Sequence, residues 1–214
     1  INPYSFAVNT SRTLDANEFY TRNYSPFNIF HELANNYMDL NVSDFRAQAK
    51  LSYKPITKVD ISVLGAVKYA GTSREHHVTE YSNQAEAYRA MQTSVIRENN
   101  TYLYRDPDNI FALPFSVMPY GGIFTRQDNR MFGWDFRASV SYNDVFNKDH
   151  ILNTYAGMET NSYTRHGTSF KGYGMQYDLG EEANWDYHNF KKMQEAGGNY
   201  YGMGNNNTRS AAFF

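Results

Sequence analysis

The 214 residues carry a formal charge of −2 and no cysteine, and their aromatics are 19 Tyr and 15 Phe against 2 Trp. Near-neutral charge removes the bulk electrostatic case for nucleic acid or an anionic membrane surface, and the lack of Cys excludes a disulfide framework and thiolate metal sites. No run reaches the eighteen or so apolar residues of a membrane helix, yet a mean hydropathy of −0.68 is compatible with a membrane barrel, whose lumen-facing residues and long loops dilute its apolar content.

Residues 1–41 read as a loop region. Ile1-Asn2-Pro3-Tyr4 has no initiator Met, basic segment or apolar segment, so no signal peptide is expected there. His31-Glu32-Leu33-Ala34-Asn35 opens like a zinc-protease helix, but that motif needs a second imidazole at the fifth position, which is Asn35. A surface histidine is the better reading.

Residues 42–70 read as a β-hairpin. Phe45, Ala47, Ala49, Leu51 and Tyr53 alternate with Arg46, Gln48, Lys50, Ser52 and Lys54, so a strand here has one apolar and one wet face. After a break at Pro55–Lys58, Val59, Ile61, Val63, Val67 and Tyr69 repeat the pattern. Residues 71–129 form a long connection. Within it, Glu75-His76-His77 is a weak metal signal, because adjacent imidazoles on an extended chain point in opposite directions. A short helix is predicted over Ser82–Met91, behind a Ser or Asn cap, and Pro114, Pro119, Gly121 and Gly122 punctuate the return.

Residues 130–163 read as a second hairpin. Phe132, Trp134, Phe136, Ala138, Val140 and Tyr142 share one face, with Asp135 and Arg137 on the other. A turn at Asp144–Asp149 leads to a weaker alternation from Ile151 to Tyr163. Residues 164–207 form a second long connection, rich in Gly, Tyr and Asn, with little regular structure predicted. Its Tyr173, Tyr177, Trp185 and Tyr187, with Tyr200 and Tyr201, could stack on a sugar or line a peptide groove, although packing of the loop on itself is the favoured alternative. Residues 208–214 begin another strand, so the chain is expected to be a piece of a longer protein. Gly172-Tyr-Gly174 lacks the third glycine of a dinucleotide loop, and no nucleophile elbow or phosphate loop occurs. No catalytic, cofactor or metal residue is assigned, and an enzyme is not expected.

Short turns alternating with very long connections match the repeat unit of an outer-membrane β-barrel, with the turns periplasmic and the long segments extracellular. In that geometry Phe45, Ala47, Ala49, Leu51, Tyr53, Val59, Ile61, Val63, Val67, Tyr69, Phe132, Trp134, Phe136, Val140 and Tyr142 face lipid. Arg46, Gln48, Lys50, Asp60, Asp135 and Arg137 face the lumen. Tyr53, Tyr69 and Tyr142 suit one interfacial girdle, while Phe45 and Trp134 approach the opposite boundary. The competing reading is a soluble β-rich surface module, such as a carbohydrate-binding sandwich, whose core would take the same apolar face. A passive porin is a third, disfavoured by the length of the loops.

Several stretches are similar to one family in order along nearly the whole chain. They are Ser25–Asp39, Tyr104-Arg105-Asp106-Pro107-Asp108-Asn109, Leu113-Pro114, Pro119–Ile123, Trp134–Ser139 with Tyr142-Asn143, Phe146-Asn147, His150, Gly157-Met158-Glu159 and Arg209–Phe214. The chain resembles the barrel region of SusC/RagA-type TonB-dependent outer-membrane transporters of Bacteroidota. The resemblance implies an all-β, multi-pass arc of a 22-stranded barrel plugged by an N-terminal domain. It implies energised uptake of glycans or peptides, TonB acting through an N-terminal region absent from these residues, and a SusD-like lipoprotein over the extracellular mouth.

Overall fold

The computed structural model describes residues 3–10, 18–20, 25–147, 150–183 and 186–214. In chain order the elements are α1 (Pro3–Asn9), β1 (Glu18–Tyr20), β2 (Ser25–Phe27), α2 (Ile29–Asn35), β3 (Asn36–Ile56), β4 (Val59–Val78), α3 (Asn83–Arg89), α4 (Ser94–Asn99), β5 (Gly122–Phe146), β6 (His150–Gln176), β7 (Glu182–Ala183), α5 (Tyr187–Glu195) and β8 (Tyr201–Phe213). The chain is all-β in class, dominated by a mostly antiparallel sheet ordered β3-β4-β5-β6, with both β7 and β8 paired to β6.

The strands outrun their predicted bounds. The first hairpin spans 36–78 rather than 42–70, the second 122–176 rather than 130–163, and β8 starts at Tyr201 rather than near residue 208. The segment 164–207, predicted to be largely irregular, instead holds the end of β6, the helix α5 and the start of β8. Alternation marks a strand only where one face is apolar. Where both faces are polar, as in 71–76, the ladder still satisfies the backbone groups but period 2 leaves no trace. In 38–42 the apolar residues Met38, Leu40 and Val42 alternate in the opposite phase to Phe45–Tyr53, so the pattern breaks at residue 43 although the strand does not.

Two compact units share the chain, and long strands contribute residues to both. The first comprises residues 1–40, 74–127 and 169–202. Its core gathers Val78, Ala85, Met118, Ile123 and Tyr173, with Tyr88 and Met193 against them. The helix predicted at Ser82–Met91 is α3, capped by Ser82, whose hydroxyl accepts the Ala85 N–H at 3.1 Å. Buried Asn100 ties the next turn by donating to the carbonyls of Ala87 (2.9 Å) and Ala90 (2.7 Å) while accepting the Tyr102 N–H. At the return to the sheet, Gly121 has φ +72°, and a Cβ on Gly122 would fall 1.9 Å from the Val78 carbonyl oxygen. Only glycine fits that close approach.

The second unit comprises residues 41–73, 128–168 and 203–214, a sheet of parts of β3, β4, β5, β6 and β8. Contacts across neighbouring strands fix its register. Lys54 faces Asp60 (3.4 Å) between β3 and β4, and the Asn143 N–H donates to the Lys58 carbonyl (2.9 Å) between β4 and β5. Arg137 meets Glu159 (2.6 Å) between β5 and β6. Gly157 and Phe214 exchange backbone bonds of 2.8 and 3.0 Å between β6 and β8, and Ser210 donates to Asn161 in the same register. The turn after β3 is only Thr57-Lys58, and the Lys58 ammonium holds the Asp144 carboxylate at 2.8 Å. Tyr142 donates its hydroxyl to that carboxylate.

Candidate functional site

Stepping by twos from these contacts puts Val67 opposite Trp134, Gly65 opposite Phe136, and Ala47 and Ala49 opposite Val67 and Gly65. A shallow groove of about 640 Å³ runs over that patch, lined by Ala47, Ala49, Gly65, Val67, Trp134 and Phe136 among others. All fifteen residues of the predicted apolar set therefore share one face: Phe45, Ala47, Ala49, Leu51 and Tyr53 on β3, Val59, Ile61, Val63, Val67 and Tyr69 on β4, and Phe132, Trp134, Phe136, Val140 and Tyr142 on β5. On β6 the face continues with Ala156 and Met158 but also Thr154, Thr160 and Ser162, so the apolar character thins there.

The register corrects one detail of the aromatic positions. Antiparallel pairing sets Tyr69 level with Phe45 and Phe132 at one end of the band, while Tyr53 and Tyr142 lie toward the other. Tyr69 therefore does not belong with Tyr53 and Tyr142, because consecutive strands run in opposite directions. Two residues past Tyr69 the face turns polar, with Gly71, Arg130 and His166. From the Phe45 row to the Val59–Tyr142 row is ten steps, roughly 34 Å along a strand and about 26 Å at a tilt of ~40°.

This face lacks a cover within the described residues. Leu51 is 70% exposed, Tyr53 63%, Phe45 60% and Phe132 54%. Among the described residues, every buried apolar side chain belongs to the first unit and none to the sheet unit. A contiguous apolar surface of this extent is rare on a soluble monomer and marks an interaction surface.

The opposite face is the more polar one, although it includes Leu64, Met131 and, at one end, Met38, Leu40 and Val42. It carries Arg46, Gln48, Lys50 and Asp60 with Asp135 and Arg137, as the alternation predicts. Tyr163 lies over Gly133, where a Cβ would sit 2.3 Å from the ring, and donates its hydroxyl to Asp135 at 2.7 Å. A row of Ser52, Ser62, Ser139 and Gly157 crosses the same face, and the Phe214 ring rests on that glycine.

In the loop-bearing unit the aromatic candidates separate. Tyr173 is buried in the core beside Tyr88, with the Lys171 ammonium 5.0 Å from its ring centre. Tyr177 donates its hydroxyl to the Ile123 carbonyl at 3.0 Å and meets His77 edge-on, and burial pushes its phenol well above the usual range. Tyr173 is thereby committed to the core, whereas Tyr177 is half-buried and lies outside the core cluster. Tyr187 is 71% exposed on α5. Trp185 lies outside the described residues. Tyr200 packs edge-on against Phe190.

The histidine signals resolve as packing. His31 sits on α2, where Asn35 donates to its backbone carbonyl at 2.8 Å. His77 is buried against Tyr37, Phe124 and Tyr177, while His76 contacts the Asn36 side chain at 2.6 Å. The two imidazoles diverge, and burial holds His76 below its usual value. Among the described residues no cluster of three or more His, Cys, Asp or Glu is arranged to hold a metal, and no helix is long and apolar enough to cross a membrane. One feature carried no sequence signal: Lys192 on α5 donates to the carbonyls of Thr101 and Leu103, each at 2.7 Å. Comparison with protein-family models and with curated proteins finds no match.

Proposed function

We propose that this chain is an arc of an outer-membrane β-barrel belonging to a TonB-dependent importer of glycans or peptides. The observation that carries the membrane reading is the band itself, apolar on one face, about 26 Å tall and flanked by aromatic rows. It matches the ~25 Å lipid belt of outer-membrane barrels with aromatic girdles at both interfaces. The connections fit too: Thr57-Lys58 and the three residues between β5 and β6 are short, whereas residues 79–121 and 177–200 are long, and their described parts include α3, α4 and α5. In this reading the short turns are periplasmic and the long segments extracellular. Free strand edges are not tolerated in lipid, so the arc works only within a closed barrel. The importer reading, with a plug, TonB and a SusD-like lipoprotein as partners, rests on the resemblance of its sequence stretches. No enzymatic step is assigned.

Substitution across the two faces tests the membrane assignment. In the full-length protein, Leu51→Arg or Val63→Arg should cost about 2–4 kcal/mol of folding into vesicles, as expected for a cation near the bilayer midplane. Gln48→Arg should change it little. Equal tolerance at all three positions removes the lipid assignment.

A further inference from the structure

The outward face changes character across the sheet. On β3, β4 and β5 it carries the apolar band, whereas on β6 and β8 its upper half is polar. Gly157 exchanges backbone bonds with Phe214, and Ser210 donates to Asn161, which fixes the pairing of these two strands. That register sets Ser162 beside Arg209, Thr164 beside Asn207 and His166 beside Asn205, and the last two side chains touch. Ser210 shares the opposite face with Asn161, so its neighbour Arg209 projects outward. Arg209 is exposed and makes no ion pair among the described residues. The nearest carboxylate on its face, Asp128, lies three rows higher, at least ~20 Å along the strands. Arg130 has that carboxylate two residues away on its own strand, so Arg209 is the cation without a counter-charge.

Depth decides what meets it. Arg209 is level with Trp134 and Val67, one row or roughly 7 Å along the strand inside the row of Phe45, Tyr69 and Phe132. An arginine on the lipid face costs about 2–4 kcal/mol at the midplane and about 0–1 kcal/mol at the interface, so its stem extends toward the boundary. The guanidinium then stands at the level of Asn207, at the end of the band that carries the long connections. The group that offsets an unpaired guanidinium there is an anion, and phosphate takes it in forked hydrogen bonds. Asn205 and Asn207, with the hydroxyls of Ser162 and Thr164, present neutral donors and acceptors suited to sugar hydroxyls. Directly below, Ala211, Phe213 and Met158 are apolar, and Phe213 is 80% exposed. A polar cradle above and apolar surface below, on the same two strands, fit an amphiphile rather than a soluble anion.

We infer that the outward face of β6 and β8 seats a phosphorylated glycolipid of the outer leaflet, its phosphate on Arg209 and its acyl chains over Phe213. The inference rests on the reading that this face meets lipid. Native mass spectrometry of the full-length protein in detergent tests it, with monophosphoryl lipid A and the same lipid dephosphorylated as probes. The phosphorylated lipid should bind about fivefold more tightly, the effect of one cation at a membrane surface. Arg209→Gln should abolish that preference and Arg209→Lys should keep most of it. Arg46→Gln, on the opposite face, should leave it unchanged. Equal binding of the two lipids, a preference that survives Arg209→Gln, or displacement of the lipid by excess inorganic phosphate overturns the inference. A stable dimer that excludes lipid and is broken by Arg209→Gln overturns it too, by giving the face to a second copy. Maleimide labelling in vesicles separates its failure from that of the barrel reading. With Leu51→Cys protected, a negative result rejects only the headgroup site. Rapid labelling of Leu51→Cys rejects the barrel itself.

Discussion

Single residues hold the loop-bearing unit together by satisfying backbone groups that no ladder reaches. Lys192 is the most exacting of them. Burial, with Arg105 nearby, lowers its pKa from the usual 10.5 to about 8. Between these values the unfolded chain keeps a proton that the folded chain has shed, so this group's contribution to stability rises with pH across that window and is smallest below 8. The neutral amine still has two N–H groups for the carbonyls of Thr101 and Leu103, so the docking of α5 survives deprotonation. Hydrogen exchange in the full-length protein should show α5 opening less readily as pH climbs through that window, after correction for intrinsic exchange. Lys192→Met should flatten the trend while lowering protection overall. A trend identical in wild type and variant would show that Lys192 is not its source.

At the scale of elements, the sheet is specified by which side chains share a face. The fifteen apolar residues and six polar ones were legible from alternation alone, since a strand with one face in water and one out of it must alternate. The register was not legible, and it decided that Tyr69 joins Phe45 while Trp134 meets Val67. Gly133 shows the same limit. In sequence it is one member of a polar face, and in the sheet it is the floor for Tyr163. Gly133→Val should displace that ring, break its bond to Asp135 and destabilise the hairpin by about 1–3 kcal/mol. Unfolding of the full-length protein with Tyr163→Phe as reference checks this. Tyr163→Phe keeps the ring and loses only the hydroxyl, so a valine variant no worse than it would mean the ring is not clamped.

For the molecule as a whole, the two units differ in what water does to them. One buries Val78, Met118 and Ile123 and has a core of its own. The other presents an apolar band and, as an edge, residues 41–56 of β3. An exposed edge of that length beside apolar surface is a template for pairing with other chains. In buffer without detergent these 214 residues should self-associate, and light scattering should register species heavier than 24.8 kDa. A compact detergent-independent monomer would favour the soluble-module reading instead.

The sequence by itself determined the class of structure, the two hairpins, the separation of wet and apolar faces and the capped helix after Ser82. All of these follow from local periodicity or local hydrogen bonding. Tertiary structure alone decided how far the polar strands extend, that Tyr173 is buried in the core of the first unit, and that Tyr163 sits over Gly133 beside Asp135. Pairing register joins residues more than a hundred positions apart, and no local pattern records which strand will lie beside which.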